Sequence, residues 1–273
     1  MSRKLPHAVV ATAAAGVVAV SGSAAASADP IEDWKNAHDT DPHVPLSVQE
    51  TNELRAREAE AAKYVAKRLR EAQQQEQVDA RGLAFIHNNL SASHQSQINS
   101  YYCGPATLVI SFMNRGISMT QSQAGSLLRT TTAGTAWSGV NAAVSNPTGY
   151  PMRDVYNYKL GYVRYYPLNL PSAPGPGQVG SFKNVLIRDI DAGFPLMGNV
   201  WQVRGGPHLL GHPDREIFHW VNIRGYSNSA ALTNIADPAS GAPSLSWSSA
   251  VPKFSSNDTE KMVRMMGGRG YVF

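Results

Sequence analysis

The segment QINSYYCGPATLVISFM, residues 97–113, carries the residues on which the prediction of the fold depends. Its second half is apolar and begins with Cys103-Gly104-Pro105. This pattern predicts a helix from Cys103 to Met113, because proline is tolerated in the first turn of a helix. A cysteine in that turn lies beside unpaired backbone N–H groups and the positive end of the helix dipole. Both favour the thiolate form of Cys103.

Cys103 is the only cysteine of the sequence, so the chain has no internal disulfide. A single cysteine is either a small core residue or a reactive nucleophile, and here its neighbours favour the nucleophile. Gln97 lies six residues upstream on the incoming loop. Its side-chain amide could join the Cys103 N–H as an oxyanion hole. Gly104 is expected to leave room for a substrate.

A nucleophilic cysteine needs a base and a group that orients the base. Among the histidines after residue 80, only His219 opens a strand pattern, and the next predicted strand ends in Asp237-Pro238. If the turn between these strands centres on Asn228, His219 and Asp237 are directly opposite, so the carboxylate can fix the imidazole tautomer. A bulge would change the pairing without preventing the contact. The other candidate bases are His87, His94, His208 and His212.

Each of these residues also has a purely structural interpretation. Cys103 can be a small core residue, His219 a satisfied histidine in a sheet, and Asp237-Pro238 an ordinary start of a turn. Gln97 is the weakest of the four signals, because glutamines are common in loops and Gln95 is close by. The specific signal is that all four residues occur together and in this order along the chain.

From Gln95 to the C-terminus the sequence resembles the papain-like cysteine peptidases related to the bacteriocin-processing, double-glycine-leader peptidases. The resemblance implies an α+β fold in which an N-terminal helical part carries the cysteine and a C-terminal antiparallel sheet carries the histidine and aspartate. It also implies that Cys103 is the nucleophile, His219 the general base and acid, Asp237 the orienting group and Gln97 the oxyanion donor. Leader-processing members are fused to a membrane transporter, which this sequence lacks, so their leader specificity does not transfer.

The first 28 residues have the pattern of a secretory signal peptide. A basic start with Arg3 and Lys4 precedes an uncharged run from Ala8 to Val20, which is too short to span a bilayer, and residues 26–28 form a small-x-small cleavage pattern. We therefore expect export, with a mature start at Asp29, and no membrane insertion.

Residues 29–89 form a polar segment with 12 acidic and 8 basic residues. Residues 29–46 contain three prolines and are predicted to be an extended arm. Ser47 and Glu50 form a capping box, which predicts a helix to about Glu76. This helix is interpreted as a surface helix at the edge of the domain; the alternative is an inhibitory pro-segment, because the segment is net negative and the body is net positive.

Residues 90–273 are predicted to form one α+β domain, with helices early and strands late in the chain. The predicted helices are Cys103–Met113, one capped by Thr120 through Leu128, one from Ser138 to about Ser145, and one from Ser181 or Phe182 to Ala192. Residues 162–167 are predicted to be extended and residues 171–180 a loop. The predicted strands are Phe194–Val203, Phe218–Gly225 and Ala231–Asp237.

Several patterns that suggest cofactors are not supported by their surroundings. His208, His212, Asp214 and Glu216 could suggest a metal site, but the glycines and prolines around them forbid a stable helix, so a mobile loop beside the cleft is predicted. The Gly175–Gly180 match to a dinucleotide-binding motif follows no strand and is interpreted as a linker. The methionines at 262, 265 and 266 are assigned to the core. We expect no metal or organic cofactor.

These observations predict a secreted, monomeric cysteine peptidase that hydrolyses peptide bonds through Cys103, His219 and Asp237. A net charge of +6 over residues 90–273 is mild, so nucleic acid is not an implied partner. Two alternatives remain open at this point. The same triad could serve a transamidase or acyltransferase, or the fold could be a non-catalytic module that binds peptides or the cell wall.

Overall fold

The computed structural model describes residues 29–75 and 86–273. The predicted signal peptide lies outside these residues. The α-helices are Pro30–His38 (α1), Val48–Gln74 (α2), Cys103–Met113 (α3), Gln121–Leu128 (α4), Pro151–Leu160 (α5), Pro176–Asp191 (α6) and Thr259–Met266 (α7). The strands are Asn88–Asn89 (β1), Pro167–Asn169 (β2), Leu196–Gln202 (β3), Ile217–Ser227 (β4), Leu232–Ala236 (β5), Phe254–Asp258 (β6) and Gly270–Val272 (β7). No helix among the described residues is both long and apolar enough to cross a bilayer.

The strands form one antiparallel sheet in the order β2-β7-β3-β4-β5-β6, and β1 pairs with β4. Residues of β4 alternate between two core clusters, as side chains on a pleated strand must. Val221 and Ile223 pack with α6 and α7, whereas Trp220 packs with α3. The predicted α+β class is confirmed, with the cysteine on a helix and the histidine on the sheet.

Two of the helix starts predicted from capping residues are confirmed. Ser47 and Glu50 form a reciprocal capping box at the start of α2, and Thr120 and Gln123 form one at the start of α4. Helix α3 begins at Cys103 and is buried through Phe112. Its burial on all sides explains why its apolar run shows no polar face.

Four local predictions are wrong. Residues 30–38 of the expected arm are helical, because Asp29 caps α1 and Pro30 fits its first turn. No helix forms at Ser138–Ser145, since the Ser138 hydroxyl donates to the Pro42 carbonyl instead of capping. Helix α5 lies in the tyrosine-rich segment where no helix was predicted. Helix α6 begins at Pro176, inside the predicted loop, and Gln178 caps its first turn through the Gly175 N–H.

Helix α2 packs on the body of the protein. Three residues of α2, Ala61, Val65 and Ala72, are buried in the same core cluster as α6. Tyr64 and Arg68 also bind the Asp191 carboxylate, at 2.9 and 3.2 Å. Whether this segment acts as a pro-segment stays a prediction.

Candidate active site

Cys103 lies in the first turn of α3 and is 8% exposed. Its sulfur accepts hydrogen bonds from the backbone N–H groups of Gly104 and Trp220. A Cβ atom at position 104 would lie 2.2 Å from Oγ1 of Thr135. A side chain at position 104 would therefore collide with Thr135, which packs against this turn.

The N–H of Trp220 reaches Cys103 because β5 is shorter than β4. Strand β5 pairs with β4 only from Asn222 onward, so the edge of β4 before that residue is free for α3. In an antiparallel strand, the N–H and C=O of one residue point to the same edge. Accordingly, the Trp220 carbonyl accepts a 2.9 Å bond from Thr107, a residue of α3. These bonds fix the cysteine-bearing turn against the strand that carries His219.

His219 lies between the sulfur and a carboxylate. Its Nε2 is 2.8 Å from Oδ1 of Asp237, and its imidazole is hydrogen-bonded to the Cys103 side chain. With Nε2 engaged by Asp237, Nδ1 is the nitrogen left for the sulfur. All three side chains are buried, so the chain Cys103–His219–Asp237 is shielded from water.

The expected register of His219 against Asp237 is wrong, although the contact itself forms. The turn after β4 has three successive residues with positive φ, Asn228, Ser229 and Ala230, and a bulge follows Ile223. The observed partner of Ala236 is Asn222. Asp237 therefore follows the last paired residue of β5 and would lie opposite Val221, two residues from His219 on β4. Side chains in such a diagonal position can still reach each other.

The charges of these three groups support one another. Burial would lower the pKa of His219, but the Asp237 carboxylate and Cys103 outweigh it and raise this pKa to about 10. Burial would raise the pKa of Cys103, yet His219 and the two backbone N–H groups hold it below the ordinary thiol value. Burial likewise opposes ionisation of Asp237, but His219 and His212 keep its pKa well below the usual range. The arrangement therefore favours a thiolate–imidazolium pair beside an ionised carboxylate.

Gln97 is buried on the loop that precedes α3. Its Nε2 donates to the Asn99 carbonyl at 2.7 Å, which uses one of the two amide N–H groups, and its Oε1 has no hydrogen-bond partner. Its backbone N–H donates to the Pro238 carbonyl at 2.8 Å. His94 adds a 2.9 Å bond to the Asp237 carbonyl. These bonds attach the loop that enters α3 to the residues that follow β5.

His212, one of the candidate bases in the sequence, is a second partner of Asp237 that the sequence did not indicate. It was assigned to a mobile loop, but its side chain is fully buried and its Nε2 lies 3.0 Å from Oδ2 of Asp237. The Gly-Pro-rich pattern around it correctly excluded a helix, but nothing local to residue 212 indicates a contact with residue 237.

The residues suspected of binding a metal do not converge as a group. His208 binds the carbonyls of its own loop, and Glu216 accepts from the Trp201 indole. The donor atoms of His212, His219 and Asp237 do lie within 4.8 Å of one another. However, each imidazole is hydrogen-bonded to a different oxygen of the carboxylate, which accounts for the proximity of the three side chains.

A groove of about 380 Å³ adjoins this cluster through Thr135. Its walls include the aromatic rings of Trp137 and Phe218, and the latter is half exposed. Asn199 also lines it, buried and with an Oδ1 that has no partner. Rings with a few polar groups between them are typical of sites that bind organic ligands.

Comparison with known proteins identifies the family of this chain. A model of the Peptidase_C39 like family matches residues 89–256. A solved structure described as a C39-like peptidase from Bacillus anthracis is 13% identical, with a TM-score of 0.41, and the match covers 68% of this chain and 96% of that one. Xylellain, a cysteine protease from Xylella fastidiosa, is 10% identical with a TM-score of 0.39, covering 68% of this chain and 84% of that one. The search of curated proteins returned no match. Since the family model covers more than half of the sequence, the chain belongs to the Peptidase_C39-like family and is a cysteine-type peptidase.

Proposed function

We propose that this peptidase hydrolyses peptide bonds through an acyl-enzyme on Cys103, with His219 as general base and acid and Asp237 as the orienting group. The observation that carries the proposal is the buried, hydrogen-bonded series from Cys103 through His219 to Asp237. It supplies a thiolate, a proton donor within reach of the leaving group, and a carboxylate that fixes the imidazole.

In acylation the Cys103 thiolate attacks the carbonyl carbon of the scissile bond and forms a C–S bond. His219 gives its proton to the departing amine as the C–N bond breaks. In deacylation the neutral His219 takes a proton from water while the resulting hydroxide adds to the thioester. The C–S bond then breaks, the carboxylic acid leaves, and the thiolate–imidazolium pair is restored.

Gln97 is proposed as the oxyanion donor. Its Nε2 has a second N–H besides the one donated to Asn99, and its loop is tied to Pro238 next to the site. Loss of one such donor typically lowers kcat by about 10²–10³-fold. Gln97→Ala is therefore expected to lower kcat on that scale, whereas Gln95→Ala serves as the matched control from the same loop.

The substrate is proposed to be a peptide that lies in the groove beside Thr135. Trp137 and Phe218 line this groove and offer apolar contacts there. A substitution such as Phe218→Ser is expected to change which sequences are cleaved while Cys103 alkylation stays unchanged.

The deciding experiment incubates the protein with a complex peptide mixture beside a Cys103→Ala control and reads the products by mass spectrometry. Cleavages found only with the intact thiol support hydrolysis and report the sequence preference. Equal products in both samples contradict it. If an added amine is incorporated in excess of water, the acyl group is transferred and not hydrolysed.

Export is proposed from the first 28 residues, which have a basic start, an uncharged run and a small-x-small end. Intact-mass analysis of protein from the culture medium is expected to give a chain that begins at Asp29. A secreted chain that still contains residues 1–28 would contradict this proposal. The exported protein is also proposed to be a monomer.

A further inference from the structure

Asp237 has a second imidazole partner besides His219. The His212 side chain is fully buried on the loop between β3 and β4, and its Nε2 lies 3.0 Å from Oδ2 of Asp237. The other carboxylate oxygen, Oδ1, accepts from His219 at 2.8 Å and from the Ala239 N–H at 2.9 Å. The two oxygens thus have separate partners, and only one of them faces His219.

The protonation of His212 follows from its neighbours. The Leu209 N–H can only donate, and it donates to Oε1 of Gln202 at 2.8 Å. This fixes the Gln202 amide, so that its Nε2 faces Nδ1 of His212 at 2.9 Å and donates to it. Since Nδ1 must accept, the proton of His212 is on Nε2 and points at Asp237.

The surroundings keep His212 in this neutral form. A second proton on Nδ1 would face the Gln202 N–H and lose that hydrogen bond. Burial lowers the pKa of His212 below its ordinary value, although the Asp237 carboxylate acts in the opposite direction. The charges of His219 and His208, when protonated, also disfavour a charged His212.

The loop that carries His212 is held by close packing. A Cβ at Gly211 would lie 2.2 Å from the Ala250 carbonyl oxygen, and Gly211 has a φ of +82°, which glycine adopts without strain. The Trp247 ring packs on the His212 ring with centroids 4.7 Å apart. The ring therefore has little freedom to turn away from Asp237.

We propose that His212 is a positioning residue for the Cys103 site: held as its Nε2–H tautomer by Gln202, it binds Oδ2 of Asp237 and so leaves Oδ1 directed at His219. This inference rests on the proposed function, because it assigns a role within the same site. His212 acts through Asp237 and does not exchange protons during turnover. The Nε2–H group of His212 remains a donor throughout turnover, so it keeps the Asp237 carboxylate ionised and oriented after His219 has given up its proton.

The first test compares three variants by kcat and KM on a peptide cleaved in a Cys103-dependent manner. His212→Phe keeps a ring but loses the donor, and we expect kcat to fall about 10- to 100-fold with KM nearly unchanged, the effect of losing a hydrogen bond to a charged group. His212→Gln restores an amide N–H and is expected to recover most of kcat. His208→Phe alters the same loop without touching Asp237 and is expected to leave kcat unchanged.

The second test separates positioning from packing. In an Asp237→Asn background, His212→Phe is expected to cause little further loss of kcat, because both residues act through one link. Fully additive losses, or equal losses in His208→Phe and His212→Phe, overturn the proposal. If the wild type and Cys103→Ala give the same products, the proposed function fails instead, so the two failures are distinguishable.

A measurement on the unaltered protein covers the case in which His212→Phe does not fold. Nitrogen-15 NMR of the histidine rings at neutral pH is expected to show His212 as the neutral Nε2–H tautomer, with a pKa below that of an ordinary histidine. A ring that titrates near pH 6.5, or that carries its proton on Nδ1, overturns the assignment.

Discussion

Two aspartates, Asp237 and Asp189, are both almost fully buried but have different partners. Asp237 is bound by the imidazoles of His219 and His212 and by a backbone N–H. Asp189, in α6, is paired with the guanidinium groups of Arg164 at 3.1 Å and Arg188 at 2.5 Å. The contacts of Asp189 are ion pairs, and neither of its carboxylate oxygens accepts a hydrogen bond of good geometry.

The difference shows that burial of a charge does not by itself indicate a catalytic site. A guanidinium group stays protonated at every physiological pH, so Asp189 and its partners can hold α6 in place but cannot move a proton. An imidazole can gain and lose a proton, and His219 contacts a thiol as well. Proton exchange requires partners that titrate, and of the two clusters only that of Asp237 has them.

The largest effect is expected from removing the negative charge of each aspartate in turn. Asp237→Asn should lower kcat/KM by about 10²–10⁴-fold, because an amide carries no negative charge to stabilise the imidazolium form of His219 and its NH₂ group must face one of the N–H groups that the carboxylate now accepts. Asp189→Asn should leave kcat/KM per folded molecule unchanged. Steady-state kinetics normalised by titration of Cys103 with an alkylating agent would test both. A comparable loss in the two variants would remove the distinction.

The effect on stability is expected to be large for Asp189→Asn, although its effect on kcat/KM is small. Asp189→Asn removes the buried counter-charge of two largely buried guanidinium groups and leaves Arg188 only the exposed Glu60, 4.0 Å away. Breaking a buried ion pair in this way typically costs about 3–5 kcal/mol. Urea unfolding monitored by tryptophan fluorescence at neutral pH would measure the change. A loss below about 1 kcal/mol would mean that solvent reaches these arginines and that Asp189 is not the structural counterpart of Asp237.

The two clusters should also differ in how their contributions to stability depend on pH. The pKa of His219 is raised to about 10 in the folded protein, whereas a histidine in an unfolded chain titrates near ~6.5. Its stabilising contribution is therefore fully present below ~6.5 and is lost as the pH rises towards about 10. The difference in unfolding free energy between the wild type and His219→Gln should shrink between pH 6 and pH 10, by at most about 4 kcal/mol for a shift of this size.

The same urea series on Asp189→Asn supplies the control. Its difference from the wild type should stay constant from pH 6 to pH 8, since the guanidinium groups around Asp189, including Arg57, whose pKa burial lowers to about 10, remain charged in this range. A constant difference for His219→Gln as well would contradict the thiolate–imidazolium pair.

Much of this site follows from local sequence rules. The start of α3 at Cys103, the strand that carries His219 and the break after Asp237 each depend on a few adjacent residues, such as Pro105 and Pro238. The capping boxes at Ser47 and Thr120 likewise fix helix starts within one turn. Such features are readable because their physical cause lies within four residues of their effect.

What could not be predicted depends on contacts between distant parts of the chain. The register of β4 against β5 changes because Asn228, Ser229 and Ala230 take left-handed conformations and because the chain bulges after Ile223. Ser138 looks like a helix cap until Pro42, 96 residues away, takes its hydroxyl. His212 meets Asp237 through a loop whose path is fixed by packing against Ala250 and Trp247.

The smallest effect is expected at an ion pair that lacks burial. Lys67 and Glu71 lie one turn apart on α2, 3.7 Å from each other, with side chains 71% and 41% exposed. Water and salt screen such a pair, and lysine preceding glutamate is the less favourable order on a helix, so Glu71→Gln should change the unfolding free energy by less than ~0.5 kcal/mol. Urea unfolding with and without added salt would measure it beside Asp189→Asn. An exposed pair that contributed as much to the unfolding free energy as the Asp189 cluster would contradict this comparison. Burial and the kind of partner could then not explain why the charged clusters of this protein differ.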